Sequence, residues 1–498
     1  MDFLDPKLKQ KHKIRLFIGY ALMAVLIFGT SAVLVFSAYG FDVDRKTGEV
    51  IQNSLVFVDS APDGSTVSFN GNDQKDKTNS RFALPAGSYD LKLRKDSYRD
   101  WQRSFDLAGG EVERFTYPMM ILKDLKPQEL KTYEGAPSVV TESPDRRWAI
   151  VSKPNSVTDF IEYDLNSVTN NQKTPVSRDF SIPTGVLAPS EGPQSIELVE
   201  WSNDNKHFLL KHTFNGASFE FIVVSRDQPD TTININKLLT ASPTTVTLRD
   251  KKFDQWYLYS QDGGVLQAVD ARRAITPLLT GVTSYKSHDD DTILYSSLTS
   301  DGQQQRITLL DGTESTVIDE VKNGPVFLDI ARYDNEWYTV IGAGAEQKTY
   351  VYKDPVGTLK KKENNALVPV AVLRSPAAPL DGVSFSNNTR FIMARSGQHF
   401  EVYDAEYEDN YAYDISDQID ASTKVTWIDG HRLTVRSQNK VFIFDFDGSN
   451  KQELVSALPG TPMLFDRDYT VVYTANNSTA TAGKFGLFGT ELRLEEDK

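Results

Sequence analysis

The sequence predicts an all-β protein apart from one N-terminal transmembrane helix, with a small β-sandwich followed by a β-propeller of seven or eight blades. Three observations lead to this fold class. An uncharged apolar stretch occupies residues 16–36, short alternating strands with glycine and proline corners fill residues 50–122, and one strand–turn–strand pattern recurs through residues 123–498. The chain has 498 residues. Because that length is too great for a single hydrophobic core, several domains are expected.

The apolar stretch at residues 16–36 is long enough to cross a membrane as a helix. It would measure about 32 Å as an α-helix, and the hydrocarbon core of a bilayer is about 30 Å thick. Lysines and arginines are concentrated before it, within residues 1–15, whereas Asp42 and Asp44 follow it. Since basic flanks remain in the cytoplasm, we predict a single span of the cell membrane, a cytoplasmic basic tail and an extracytoplasmic remainder.

A cleaved signal peptide is the alternative interpretation of the same stretch. Signal peptides have a shorter apolar region, of about 7–15 residues, which ends in a cleavage site flanked by small residues. The best local candidate for such a site, Val35-Phe36-Ser37, matches that pattern poorly. We therefore expect an uncleaved signal-anchor helix followed by a linker over residues 37–49.

Composition excludes several classes of function. The formal net charge is −14 although the N-terminal tail is basic, so the rest of the chain is a poor ligand for polyanions and no nucleic-acid partner is expected. We expect this acidity to keep an exposed domain soluble and monomeric. The chain contains no cysteine, which excludes disulfides, thiolate nucleophiles and cysteine-based metal sites.

Residues 50–122 consist of short alternating strands separated by sharp corners. The strand segments include "NSLVFVDS", "TVSFNG" and "YDLKL". A turn is expected at Pro85-Ala86-Gly87 and a hairpin-like connection at Gly109-Gly110. Alternation interrupted by proline and glycine is typical of a small antiparallel sandwich.

Two stretches of this region, "VDSAPDGSTVSFNG" and "LPAGSYDLKLRKDSY", resemble the PEGA domain, a β-sandwich found mostly in surface and envelope proteins of bacteria and archaea. The family's Pro-Glu-Gly-Ala signature stands as Pro62-Asp63-Gly64-Ser65, and its later turn as Pro85-Ala86-Gly87-Ser88-Tyr89. The family's glycine before a late tyrosine is Ser97 here, and its G-x-T-P corner is replaced by Lys77-Thr78-Asn79. The resemblance implies a cell-envelope setting, with Pro62 and Gly64 as corner residues between strands.

One pattern, a strand followed by a polar turn and an apolar strand, recurs after residue 123. The copies are at residues 141–151, 199–211, 248–260, 285–297, 330–342, 383–395, 426–437 and 464–474. Their mean spacing is about 47 residues, which is typical of propeller blades. Since one blade cannot bury both faces of its sheet alone, neighbouring blades are expected to share a continuous core.

Two of the copies, "SPDRRWAIV" and "WSNDNKHFLL", resemble the S-x-D-x-x-x-aromatic corner of TolB-type and related propellers. The stretch "VFIFDFDGSNKQEL" at 441–454 resembles the turn between the outer strands of a blade. The resemblance implies a propeller over about three quarters of the chain. The first or last copy could be half of a blade that the opposite terminus closes.

Motifs that would carry chemistry are incomplete. Asp445-x-Asp447-Gly448 resembles the start of a calcium loop, but Ser456 stands where a final carboxylate ligand is needed. "HDDD" at 288–291 is interpreted as an exposed blade corner, and "IGAGAEQ" at 341–347 lacks the third glycine of a dinucleotide-binding loop. We therefore predict no catalytic, cofactor-binding or metal-binding residues, and no cofactor.

The segment 401–420 has eight acidic residues, four tyrosines and no lysine or arginine. Tyrosine rings beside carboxylates can bind sugars or cations. The candidate ligand-binding residues are Tyr403, Tyr407, Tyr411 and Tyr413. The alternative is that this segment is an outer blade strand whose tyrosines cover the sheet.

Two functions follow from these patterns. The first is a membrane-anchored extracytoplasmic binding or scaffolding protein, without enzymatic activity, whose propeller binds a cell-wall polymer or another surface protein. The alternative is a membrane-anchored glycan-active enzyme with an acidic site at the propeller axis, since a pair of carboxylates would suffice for glycoside hydrolysis. Converging acids and aromatic rings at the axis would favour the enzyme, whereas an axis without them would favour binding.

Overall fold

The computed structural model describes residues 6–38, 40–43, 48, 50–168, 174–361, 367–375, 378–419 and 425–497. The chain divides into two compact units. The first unit comprises Met1–Lys123 and Glu496–Lys498, and the second comprises Asp124–Glu495.

The first unit begins with the helix α1, Pro6–Ala38. It is longer than the predicted span at 16–36, because the lysines and arginine before the apolar stretch are good helix formers and continue the helix. Within it, Gln10–Ala38 is long and apolar enough to cross a membrane. An N-terminal helix of this kind suits a single span or a signal anchor.

The helix ends at a turn that only glycine fits. Gly40 has φ +78°, and its N–H donates to the carbonyl of Ser37 at 3.1 Å. Its own carbonyl accepts from the N–H of Asn53 at 2.7 Å, and a Cβ on Gly40 would lie 2.6 Å from the Asn53 oxygen. The turn therefore holds the carboxyl end of α1 against the backbone at Asn53.

Eight strands after the helix form two four-stranded sheets. The β2 sheet contains β1 Phe41–Val43, β2 Val50–Val58, β5 Ser80–Pro85 and β8 Val112–Phe115. The β6 sheet contains β3 Thr66–Phe69, β4 Asn72–Lys77, β6 Gly87–Arg94 and β7 Trp101–Leu107. Both sheets contribute side chains to a buried core, among them Val56, Val58, Val67, Leu93 and Trp101, as expected for a sandwich.

Two details of the predicted sandwich are wrong. β8 pairs in parallel with β2, with Leu55 opposite Val112, so this sheet is not wholly antiparallel. Gly109-Gly110 does not close a hairpin, because it connects β7 of one sheet to β8 of the other. Alternation within a strand reports which residues are buried, but it contains no information about the partner strand or its direction.

The described residues of the second unit form eight four-stranded antiparallel sheets, which we number 1 to 8 in chain order. Sheet 1 contains β10 Val140–Glu142, β11 Trp148–Ser152, β12 Asp159–Asp164 and β13 Val176–Ser181. Sheet 2 contains β14 Ser195–Trp201, β15 His207–Phe214, β16 Ser218–Ser225 and β17 Ile233–Asn234. Sheet 3 contains β18 Thr245–Leu248, β19 Trp256–Ser260, β20 Val265–Val269 and β21 Ile275–Leu279. Sheet 4 contains β22 Val282–His288, β23 Thr292–Leu298, β24 Gln304–Asp311 and β25 Glu314–Lys322.

The second half of this unit repeats the arrangement. Sheet 5 contains β26 Val326–Tyr333, β27 Glu336–Ala343, β28 Lys348–Lys353 and β29 Ala371–Arg374. Sheet 6 contains β30 Gly382–Phe385, β31 Phe391–Ser396, β32 His399–Asp404 and β33 Asp409–Asp414. Sheet 7 contains β34 Thr426–Trp427, β35 Arg432–Ser437, β36 Lys440–Asp445 and β37 Gln452–Ser456. Sheet 8 contains β38 Leu464–Phe465, β39 Val471–Asn477, β40 Phe485–Glu491 and β9 Gln128–Tyr133.

Short helices connect some of these strands. The α-helices are α2 Ile235–Leu239 and α3 Pro355–Lys361. The 3-10 helices are Leu165–Ser167, Pro229–Thr231, Arg249–Lys251, Asp262–Gly264, Gly344–Glu346 and Glu495–Asp497.

This arrangement is the predicted β-propeller. Each of the eight sequence repeats spans the hairpin between the first and second strands of one sheet, so the pattern marks the same position in every sheet. Neighbouring sheets share buried clusters, and Phe221, Trp256 and Val269 belong to one that joins sheets 2 and 3. The count of eight sheets favours the larger of the two predicted blade numbers.

Sheet 8 is built from both ends of the second unit, as the sequence suggested. Its first three strands follow sheet 7, and its fourth strand, β9, precedes sheet 1 in the chain. Glu129 of β9 fixes the loop between β39 and β40, because its carboxylate accepts from Ser478 Oγ at 2.7 Å and from the backbone N–H of Thr479 and Ala480 at 2.9 and 3.1 Å. These hydrogen bonds, first of all that from Ser478, lower the pKa of Glu129 from 4.5 to about 2.

We expect this carboxylate to make the second unit more stable above pH 4.5 than near pH 2. The folded-state pKa lies below the unfolded one, so the contribution is complete above 4.5 and is lost as the pH falls through about 2. Substitution Glu129→Gln should therefore remove part of the acid dependence of the urea midpoint across this window. Glu134→Gln is the matched control, since Glu134 makes an exposed ion pair with Lys484. Equal acid profiles for all three proteins would contradict the prediction.

Candidate functional site

The first strands of neighbouring sheets contact one another in the second unit, for example β22 with β26 and β26 with β30. They therefore form the inner edges of the sheets, around the propeller axis. A cavity of about 740 Å³ lies among the first strands of sheets 2 to 6. Its charged and aromatic lining residues are Glu200, Lys211, Phe221, Asp250, Lys251, Tyr285, Lys286, His288, Asp289, Asp329 and Phe385. We call this space the axial cavity.

Glu200 of sheet 2 is fixed to sheet 3. One of its oxygens accepts from the backbone N–H of Leu248 at 2.5 Å. The other forms an ion pair with the ammonium group of Lys251. The Glu200 carboxylate therefore fastens two adjacent blades at the wall of the axial cavity.

Asp329 of sheet 5 likewise joins neighbouring blades, here sheets 4, 5 and 6. Its Oδ1 lies 3.2 Å from Nζ of Lys286 in sheet 4, and its Oδ2 accepts from the backbone N–H of Phe385 in sheet 6 at 3.3 Å. Because the inner edge of β30 has no further strand to pair with, this carboxylate satisfies a backbone donor that would otherwise face the cavity. One acidic side chain thus joins three blades.

The remaining acidic residues of the lining have a lysine or a histidine nearby. Oδ2 of Asp250 lies 2.8 Å from Nζ of Lys252, and Oδ1 of Asp289 lies 3.5 Å from Nε2 of His288. Four carboxylates and three lysines line the cavity, so its charge is nearly balanced although the chain as a whole is acidic. A pair of carboxylates without cationic neighbours, as a glycoside hydrolase would use, is not found among the described lining residues.

Tyr285 supplies an aromatic and hydrogen-bonding surface at the cavity wall. Its hydroxyl lies 3.1 Å from Oγ1 of Thr247, in the adjacent sheet. Burial raises the pKa of Tyr285 to about 12, so the phenol stays protonated at physiological pH. A ring face with a hydroxyl, between lysine–carboxylate pairs, suits a polar ligand such as a sugar or a polar peptide segment.

A ring of contacts joins the sheets at the carboxyl ends of their first strands. Six of the contacts are hydrogen bonds: Asp145 N to Asn205 Oδ1 (sheets 1 and 2, 3.0 Å), Asn203 N to Lys251 O (sheets 2 and 3, 2.9 Å), Arg249 Nε to Asp290 O (sheets 3 and 4, 2.7 Å), Thr389 Oγ1 to Arg332 O (sheets 6 and 5, 2.5 Å), Asn387 N to Asp429 O (sheets 6 and 7, 3.4 Å) and Tyr469 Oη to Ile428 O (sheets 8 and 7, 2.8 Å). The other two involve aromatic rings: the His288 and Trp337 rings join sheets 4 and 5 with 5.1 Å between centroids, and the Arg146 guanidinium of sheet 1 lies 4.2 Å from the ring centroid of Tyr469 in sheet 8. Each sheet is thereby tied to the next, and sheet 8 to sheet 1. The contacts therefore form a closed ring around this end of the axis.

An acidic residue also lies where sheet 8 meets sheet 1. Oε2 of Glu142 accepts from the backbone N–H of Phe465 at 2.7 Å, and Oε1 lies 3.8 Å from Nε of Arg146. Burial raises the pKa of Glu142 to about 7, although the hydrogen bond and the arginine oppose this shift. Glu142 thus repeats the use of a carboxylate to satisfy the backbone of a neighbouring first strand.

The four candidate tyrosines do not converge on one site. Tyr403 is buried on one face of sheet 6. Tyr411 and Tyr413 lie on the other face, against Phe446 and Phe444 of sheet 7, with centroid distances of 5.2 and 6.1 Å. Tyr407 alone is exposed, in the turn between β32 and β33. These positions agree with the alternative in which the rings cover the sheet.

The other motifs occupy turns. In "HDDD", Asp290 and Asp291 form ion pairs with Lys252 and Arg249 of sheet 3, with distances of 3.0 and 2.6 Å. Asp445 accepts from Nδ2 of Asn450 at 2.8 Å, within the turn between the two outer strands of sheet 7. Among the described residues, no group of three or more histidines and acids is placed to hold a metal ion.

The axial residues could be found only partly from the sequence. Glu200 and Lys286 occur within the recognised repeats, and Asp329 directly precedes one. Their charges are not distinctive in sequence, because first strands such as β14 and β22 carry several other polar or charged residues. The pairing between sheets could not be anticipated, since it depends on how neighbouring blades meet.

Comparison with known proteins supports this architecture. Residues 53–122 match the PEGA domain family. The chain thus combines a region that matches the PEGA domain with a β-propeller. No curated protein matches it.

Several solved structures resemble the chain at low identity. The C-terminal WD40 domain of Sif2 has 10% identity and a TM-score of 0.46, over 74% of this chain and 99% of that one. An uncharacterized protein from Listeria monocytogenes EGD-e has 12% identity and a TM-score of 0.37, over 66% of this chain and 90% of that one. KlHsv2 with loop 6CD replaced by a Gly-Ser linker has 12% identity and a TM-score of 0.37, over 59% and 98%.

Proposed function

We propose that this chain is a membrane-anchored, extracytoplasmic binding or scaffolding protein of the cell envelope, and that its propeller receives a surface protein or a wall glycan at the axial cavity. The observation that carries the proposal is the cavity wall itself. Its carboxylates are each engaged with lysine, histidine or backbone N–H groups, as for Glu200 and Asp329. Such a wall can orient a polar ligand, whereas its described residues offer no pair of carboxylates that are both free of lysine or backbone partners, as acid–base chemistry on a glycan would use.

The orientation is supported by charge. Basic residues precede the apolar part of α1, and an excess of lysine and arginine marks the cytoplasmic side of a span. Tags at the two termini and protease treatment of intact cells test it. Loss of only the C-terminal tag is the expected result. Protection of both tags on intact and on wall-stripped cells, with loss of both after lysis, would overturn the proposed orientation.

Binding at the axial cavity is tested by filling it. Val199 lines the cavity and is 37% exposed, so Val199→Trp places an indole there without disturbing the core. The full chain is co-sedimented with insoluble wall polymer from the cells that produce it, and with an envelope extract. We expect the retention of the variant on its partner to fall about tenfold or more, a loss of about 1.4 kcal/mol.

Val317→Trp is the matched control, because Val317 is 48% exposed on the outermost strand of sheet 4. It should bind as the unsubstituted chain does. Equal retention of all three proteins would exclude the axial cavity as the binding site. Release of new reducing ends from the polymer, abolished by Val199→Trp alone, would instead favour the glycan-active enzyme.

A further inference from the structure

The outward face of the β2 sheet carries two ordered rows of side chains. In the first row, Ala83 of β5, Leu55 of β2 and Val112 of β8 are cross-strand neighbours. Leu55 is 38% exposed and Val112 is 43% exposed, and Ala83 is exposed as well. Three adjacent strands therefore present a continuous apolar row to solvent, which a sandwich does not need for its own stability.

The second row is basic and aromatic. Phe57 of β2 lies opposite Arg81 of β5 and Arg114 of β8. The Arg114 guanidinium lies 4.5 Å from the centroid of the Phe57 ring, and both arginines are exposed. Beyond this row, directly after the end of β2, lies Asp59, which is half-buried. The two rows thus combine apolar contact with two positive charges in a chain whose net charge is −14.

The apolar row lies near the end of the membrane helix. The carbonyl of Gly40 accepts from the N–H of Asn53 at 2.7 Å, two residues before Leu55 on β2. The ring of Phe36, in the last turn of α1, stacks on Phe41 with 5.2 Å between centroids. Since a strand rises about 3.3 Å per residue, Leu55 is about 7 Å along β2 from the helix end, and the arginine row is about 7 Å farther.

We infer that this face of the sandwich docks on the outer surface of the membrane, with the apolar row at the acyl boundary and Arg81 and Arg114 on anionic lipid phosphates. The inference rests on the proposed function, because it requires α1 to be a membrane span. The order of the rows matches the order in which a bilayer presents these regions away from its centre. Guanidinium groups bind phosphate oxygens with two parallel hydrogen bonds. The anchor places the face at the membrane surface, so docking needs no separate encounter.

Site-specific labelling tests this docking, since the chain has no cysteine of its own. The full chain is reconstituted into vesicles of phosphatidylcholine, with or without phosphatidylglycerol, and labelled at Ala83→Cys with an environment-sensitive fluorophore. Gln102→Cys, an exposed position on β7 of the other sheet, is the matched control. We expect a blue shift and quenching by headgroup-spin-labelled lipid at position 83 only, and more strongly with phosphatidylglycerol.

Removing the positive charges of Arg81 and Arg114 should weaken the docking of this face on the membrane. Because each basic residue near an anionic surface contributes about 1 kcal/mol, the double substitution Arg81→Gln and Arg114→Gln should lower the ratio of docked to undocked domain about tenfold or more. The arginines are exposed, so the variant is expected to fold, and its unfolding midpoint checks this.

The outcomes separate the inference from the proposal on which it rests. If the chain does not float with vesicles after an alkaline wash, the membrane anchor itself is wrong. If it floats but the label at position 83 behaves as the label at position 102, the docking is wrong. A blue shift that increases with protein concentration, and does not depend on the content of anionic lipid, would show that this face binds a second copy of the chain. That result would also overturn lipid docking.

Discussion

Replacing Glu162 with alanine is expected to lower the free energy of unfolding of the second unit by about 1.5–3 kcal/mol. Glu162 lies on β12 of sheet 1, and its Oε2 lies 2.8 Å from Nη1 of Arg226, directly after β16 of sheet 2. Its Oε1 lies 3.2 Å from Nη2 of Arg178. The side chains of Glu162 and Arg226 are 6% and 5% exposed. The substitution therefore removes the buried partner of the Arg226 guanidinium and leaves it with the more exposed carboxylate of Asp227, at 2.8 Å.

The measurement is a urea titration followed by tryptophan fluorescence. Trp148 is a direct reporter, because the guanidinium of Arg226 lies 4.0 Å from its ring centroid. Glu314→Ala is the matched control, since Glu314 forms an ion pair with Lys360 in which both side chains are more than half exposed. Surface pairs contribute about 0–1 kcal/mol. A loss at Glu162 no larger than at Glu314 would show that the buried pair does not hold sheets 1 and 2 together.

Replacing Tyr133 with alanine is expected to cost about 3–5 kcal/mol, the range for removing a large buried aromatic side chain. Tyr133 is 7% exposed on β9, within a cluster that joins sheets 8 and 1. Its hydroxyl oxygen lies 2.6 Å from that of Tyr163 on β12. The substitution therefore opens a cavity, leaves a buried phenol without its partner, and weakens the strand that completes sheet 8.

Hydrogen exchange distinguishes local from global loss. We expect amides of β9 and β40 in Tyr133→Ala to lose protection before those of sheets 3 to 5, because β9 is held by one sheet edge only. Tyr133→Phe keeps the ring and should cost about 1 kcal/mol. Tyr407→Ala, at an exposed turn tyrosine beside Arg390, should cost no more than about 1 kcal/mol. Uniform loss of protection across the propeller would contradict the role assigned to β9.

Much of the architecture could be predicted from local patterns. The eight repeats each report a hairpin whose buried strand and polar turn are encoded within about a dozen residues, and all eight coincide with the first and second strands of a sheet. The "PDGS" corner is similarly local, since Gly64 has φ +73° between β2 and β3. Hydrophobic periodicity and turn preferences depend on residues that are close in sequence, so they can be recognised without knowledge of the fold.

Local patterns contain less information where the partner of a residue lies far along the chain. The tyrosines of segment 401–420 are close together in sequence, but β32 and β33 turn Tyr403 and Tyr411 to opposite faces of the sheet. Conversely, Lys286 and Asp329 are unremarkable in sequence and meet at 3.2 Å at the axis. Sequence proximity within a strand pair does not imply a shared face, because successive side chains alternate.

The apolar N-terminal helix, the sandwich with its glycine and proline corners, and the repetition of a propeller can all be predicted from the amino-acid order. Three features emerge only when the chain is folded: β8 runs parallel to β2, neighbouring blades engage Glu200 and Asp329, and Leu55, Ala83 and Val112 share one exposed row. The physical reason is the range of the forces involved. Backbone conformation and the alternation of buried residues depend on residues that are close in sequence. Strand pairing and charge pairing depend instead on which distant segments come together in the folded chain.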